Sequence, residues 1–169
     1  MIAACPLLAL LFVLPVQDDS TNQPCAGPGF AQFDFWVGEW TAHWSDADGN
    51  DVTGTNAVNK VLGGCVIHES FHAPSIGFEG WSVSVYDPSS DRWRQTWVDN
   101  AGGYLDFVGS LDEGTMELRR RAERDGASFL QRMLWYNIGE DAFDWNWERS
   151  DDEGRSWRVL WSIHYVRIE

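Results

Sequence analysis

The segment His68-Glu69-Ser70-Phe71-His72 has the spacing H-E-x-x-H. On a helix, two histidines four apart share one face and hold zinc, and the Glu works on the metal-bound water. Here the flanking Cys65-Val66-Ile67 and the internal Phe71 favour a strand. Strand parity sends His68 and His72 to one face, toward solvent, and Glu69 to the other, inward. The zinc chemistry is therefore set aside and no metal is assigned. Glu69 remains as an inward carboxyl.

A second constellation lies in Trp93-Arg94-Gln95-Thr96-Trp97-Val98-Asp99, where Trp93, Gln95, Trp97 and Asp99 share one parity. With Glu69, Trp81 and Trp145 they make up the expected ligand-binding set. Tryptophans with a few converging polar groups suit a small-molecule site. Two inward carboxyls also admit proton transfer, isomerisation or hydrolysis, if burial raises the pKa of Glu69 or Asp99. No individual catalytic residue is assigned.

Two other strings read as structural. Ser150-Asp151-Asp152-Glu153-Gly154-Arg155-Ser156-Trp157 resembles the Asp-box turn of sialidase-type propellers, but 169 residues are too few for such a propeller. Arg119-Arg120-Arg121, with Arg124, is the one basic cluster. Strand alternation splits it between faces, so a solvated hairpin is expected in preference to an anion site.

Around these residues the chain shows short alternating segments separated by turns every eight to twelve positions. The reading gives about ten strands, at roughly 38–46, 51–61, 64–73, 79–87, 92–100, 103–111, 115–123, 127–137, 142–150 and 155–168. A short helical turn is expected within Phe30 to Val37. Short connections imply a meander, and closure into an antiparallel up-and-down β-barrel removes the sheet edges. The inward face is read as Trp40, Ala42 and Trp44; Ile67 and Phe71; Trp81, Val83 and Val85; Trp93 and Trp97; Phe143, Trp145 and Trp147; and Trp157, Trp161 and Tyr165.

The net charge of -14, from 26 acidic and 12 basic residues, argues against nucleic-acid binding and against adhesion to an anionic membrane. Residues Ile2 to Val16 are apolar but shorter than the ~20 residues of a spanning helix. We read residues 1–17 as a signal peptide, 18–29 as a polar lead-in and 30–169 as the barrel domain. The mature chain is then exported, periplasmic or extracellular, with no membrane span. It keeps Cys25 and Cys65, either joined or as two buried thiols.

Gly38-Glu39-Trp40 on the first strand, with Arg167 on the last, resembles the signature of the calycin superfamily, the lipocalins and fatty-acid-binding proteins. In a closed barrel these strands are neighbours, so Arg167 can stack on Trp40 and close the barrel. Longer strings, Phe33-Asp34-Phe35-Trp36-Val37-Gly38-Glu39-Trp40, Gly63-Gly64-Cys65-Val66-Ile67-His68-Glu69, Tyr86-Asp87-Pro88, Trp93 to Asn100 and Trp147-Glu148-Arg149-Ser150, are similar to an exported bacterial family of unknown function. The resemblance spans about residues 25–168. It implies a lipocalin-like barrel and supports a disulfide between Cys25 and Cys65, but brings no activity. Nitrobindins, distant barrel relatives, bind haem through a histidine. Here His164 has the parity that faces away from the tryptophans, so no cofactor is assigned. The leading expectation is an unknown small, partly apolar molecule inside a Trp-lined barrel. The alternatives are a small hydrolase or isomerase using Glu69 and Asp99, and a ligand-free scaffold for a protein partner.

Overall fold

The computed structural model describes residues 24–169. The leader read at 1–17 and residues 18–23 of the lead-in lie outside them. Two 3-10 turns, Pro28–Ala31 and Asp34–Trp36, precede ten strands: β1 Gly38–Ser45, β2 Asp51–Val61, β3 Val66–Ala73, β4 Phe78–Asp87, β5 Arg92–Asp99, β6 Tyr104–Asp112, β7 Thr115–Arg124, β8 Ala127–Tyr136, β9 Ala142–Ser150 and β10 Arg158–Arg167. Each strand pairs antiparallel with the next, and β1 pairs with β10, so the sheet closes. This is an all-β, ten-stranded up-and-down barrel, consistent with a lipocalin- or calycin-like architecture.

The turn residues account for the short connections. Asp46 accepts the N–H groups of Asp48 and Asn50 after β1. Asp87 caps the β4–β5 turn through Ser89 and Ser90. Ser150 and Asp152 build the Asp-box-like turn: Asp152 accepts from Ser156, and the Trp157 indole donates to the Gly154 carbonyl at 3.1 Å. That turn extends through Trp157, so β10 begins at Arg158, later than the 155–168 expected.

The barrel has a closed floor. The segment before β1 folds under it, placing Phe33 and Trp36 in the core against Trp93 and Trp135. A disulfide between Cys25 and Cys65 ties this segment to the start of β3. The seam is locked at the same end. Arg167 donates to the carbonyls of Val37 and Glu140 and lies over the Trp40 ring, whose indole N–H donates to the Trp36 carbonyl at 2.8 Å. Gly38 is required there: its φ is +146°, and a Cβ would fall 2.2 Å from Arg167 Nη1.

The inward assignment of β4 is corrected. Trp81, Val83 and Val85 are exposed, with Trp81 at 57%, while Gly80, Ser82 and Ser84 face the interior. The small residues are inside because their neighbours fill the space. The Trp97 ring lies where a Gly80 Cβ would be, Ser82 bonds Glu69, and Ser84 bonds Gln95. Trp81 instead pairs across the outer wall with Ser70 and Val98. The inward reading of Trp157 is corrected too. A register shift between Val159 and Trp161 separates it from the inward row, and it packs outside under Arg132, 4.1 Å from guanidinium carbon to ring centroid.

Candidate functional site

A cavity of about 80 Å³ occupies the barrel interior above the floor. Trp36 forms its base, and it extends past Phe71, Phe107 and Trp145 to Phe78, Trp97 and Leu105 at the other end of the strands. Floor residues Trp36 and Trp135 are 1% exposed, whereas Trp97, Leu105, Trp147 and Trp161 are only half-buried although they face inward. Solvent therefore reaches the cavity from the end opposite the floor.

The wall carries one polar patch, on β2 to β5, beside the aromatic Phe71, Phe78 and Trp97 of the same strands. Glu69 accepts from Asn56 Nδ2 at 2.8 Å and from Ser82 Oγ at 2.6 Å, and Gln95 Nε2 donates to Ser84 Oγ at 3.0 Å. Cross-strand pairing puts Glu69 opposite Ser82 and Gln95 opposite Ser84, so register alone assembles this patch. Burial pushes the Glu69 carboxyl up to about 7, against the pull of the bonds from Ser82 and Asn56. Burial, then the nearby Glu69 charge, raises the Tyr165 phenol well above its ordinary value and keeps it neutral. The opposite wall is aromatic, with Trp145 edge-on to both Trp135 and Trp161.

Of the expected binding residues, the barrel brings Glu69, Gln95, Trp97, Asp99 and Trp145 to the cavity. Trp81 is on the outer wall, for the reason given above. Trp93 is inward but does not line the cavity: its indole donates to Gln32 Oε1 and it packs beneath Phe33 and Tyr86. Asp99 is occupied by its own hairpin. Its Oδ1 accepts from Ala101 and Gly103 backbone N–H groups, and its Oδ2 accepts from the Trp97 indole at 3.0 Å. It positions Trp97 at the rim and is not free as a second proton-transfer group. The expected disulfide partners and the closing trio Gly38, Trp40 and Arg167 sit at the floor.

The histidines of H-E-x-x-H are on the outer wall, with Glu69 inside, as strand parity requires. His72 lies between Ser70 Oγ, 3.1 Å from its Nε2, and Glu79, 3.4 Å from its Nδ1. This Ser–His–Glu line is solvent-exposed. No group of metal-ligating side chains forms among the described residues.

Among the described residues, four buried side-chain polar atoms that sequence reading missed have no partner: Trp36 Nε1, Asn56 Oδ1, Arg120 Nε and Trp147 Nε1. Trp36 and Trp147 line the cavity. Arg120 follows Met116 and Leu118 at inward parity on β7, so alternation within the basic cluster was the available signal. Arg119 and Arg121 are outside, paired with Glu117 and Glu153.

A scan against protein-family models finds no match for this chain, and a search of the curated proteins finds none either. Among the described residues no helix is long and apolar enough to cross a membrane.

Proposed function

We propose that this is an exported, lipocalin-like binding protein that holds a small, partly apolar molecule inside the barrel. The observation that carries this reading is the aromatic cavity with the unpartnered indole N–H groups of Trp36 and Trp147 in its lining residues. A buried donor without an acceptor costs roughly 1–3 kcal/mol, a cost a ligand or ordered water removes. Trp97, Trp145 and Trp161 supply apolar and stacking surface, and Glu69 and Gln95 supply polar contacts. The Cys25–Cys65 bridge suits an oxidising compartment.

Native mass spectrometry of the protein purified from its own host, compared with the same sample denatured, tests this. The expected result is an extra mass that leaves on denaturation, and a mature chain that starts near residue 18. A clean apo mass, with no change in Trp emission across a library of small aromatics, would count against the reading.

One observation favours a second reading, in which the barrel is a proton-transfer enzyme. Glu69 is a cavity-lining carboxyl held near 7, a value suited to general acid–base work. Turnover of a bound molecule that disappears in Glu69→Gln while binding persists would select it.

A further inference from the structure

Of the four unpartnered buried polar side-chain atoms among the described residues, three are N–H donors: Trp36 Nε1, Trp147 Nε1 and Arg120 Nε. The fourth, Asn56 Oδ1, is an acceptor, on the residue whose Nδ2 donates to Glu69. The three donors are left, and what they lack is an acceptor.

Two of these donors belong to one stretch of wall. On β7–β8–β9, Trp147 pairs with Met133 and Met133 with Leu118, while the next inward row runs from Arg120 to Gln131 to Arg149. Arg120 and Trp147 thus flank β8 on the open side of the barrel. Six of the chain's 12 basic residues lie on these three strands. Arg119, Arg121, Arg132 and Arg149 each pair with a carboxylate, and Arg149 also lies on the Phe129 ring. Arg120 pairs with no carboxylate among the described residues. It donates through Nη1 to Gln131 Oε1 at 3.2 Å and faces Phe107 at 5.7 Å, and Phe107 lines the cavity. Arg120 is thus an inward guanidinium with no acidic partner among the described residues, a group suited to receive an anion.

We propose that the ligand is a small organic acid, its carboxylate held by Arg120 and Trp147 and its apolar body in the aromatic cavity. The inference rests on the binding reading above and narrows it to a chemical class. A guanidinium offers parallel N–H donors that match a carboxylate, and the Trp147 N–H supplies a further donor on the same wall. The cavity volume of about 80 Å³ is about half the roughly 150 Å³ that takes benzene, so it admits only part of a single ring, with the rest and the head at the rim.

The test titrates the intact oxidised protein with a panel of single-ring carboxylates, benzoate first, each beside its neutral amide, by calorimetry and Trp emission. We expect the acids to bind at least about tenfold tighter than the amides. Arg120→Gln should abolish that preference, lowering acid affinity far more than amide affinity. Trp147→Phe keeps the ring, removes the N–H and should reduce acid affinity by a smaller factor. Far-ultraviolet circular dichroism and the melting temperature establish that each variant folds. If the amides bind as tightly as the acids, or Arg120→Gln leaves the preference intact, the acid assignment is overturned and the cavity reading stands. If neither series binds, both fail.

Discussion

The guanidinium of Arg167, on the last strand, lies over the indole of Trp40, on the first, with 4.1 Å from its carbon to the ring centroid. The same group donates to the carbonyls of Phe35, Val37 and Glu140. One side chain thus joins the floor segment, the seam and the β8–β9 turn. Arg167→Ala should destabilise the protein by about 2–4 kcal/mol in urea melts. Arg167→Lys should recover little of this, because an ammonium cannot reproduce a planar fork stacked on a ring. Full rescue by Lys would reduce the contact to simple charge.

Glu69 sets a pH dependence. Its carboxyl rises from an ordinary 4.5 to about 7 in the folded state because of burial. Between these values the unfolded chain has released the proton while the folded chain still holds it. Stability is therefore fully present below about pH 4.5, falls as pH rises toward 7, and levels off above that. The loss is on the order of 3 kcal/mol. Urea melts at pH 5 and pH 8 should show this fall in the wild type and a much smaller one in Glu69→Gln. Equal slopes in the two proteins would refute the assignment.

The disulfide closes a separation of 40 residues and anchors the floor. Replacing both Cys25 and Cys65 with Ser should cost about 2–4 kcal/mol. Because Trp36 both belongs to that segment and lines the cavity, Trp emission should shift before global unfolding in the double variant. A single coincident transition would mean that floor and barrel melt as one unit.

Gly80 makes room for the Trp97 ring, which lies 2.2 Å from where a Cβ would stand. Gly80→Ala must displace that ring and should destabilise by about 1–3 kcal/mol. It should also weaken binding of any cavity ligand, since Trp97 lines the open half. The outer Trp81 gives the contrast: Trp81→Ser should change stability by no more than about 0.5 kcal/mol and leave cavity binding untouched. Thermal melts of the two variants side by side decide it.

Strand positions were largely legible because Gly, Asn and Asp turns punctuate the chain, and β1, β2, β5, β7, β8 and β9 begin at the expected residue. The inward carboxyl at Glu69 followed from parity alone. Parity failed where hydrophobicity inverts. On β4 the apolar residues are outside, because Glu69, Gln95 and Trp97 from adjacent strands require small or polar neighbours inside. That requirement is a cross-strand property, invisible along one strand. Asp99 was legible as inward, but not as satisfied by its own hairpin. Alternation already split Arg120 from its neighbours in the sequence, but the cluster was read as a solvated hairpin, whereas Arg120 faces Phe107 inside the barrel.

Both ends of the domain leave from the floor. Cys25 is bridged there, and the Ile168 N–H donates to the Glu39 carbonyl beside the start of β1. The cavity opens at the far end of the strands. A tether attached at either terminus, on a sensor surface or in a fusion, would hold the barrel with its mouth turned outward. The described residues thus enter and leave the barrel on the side away from ligand entry.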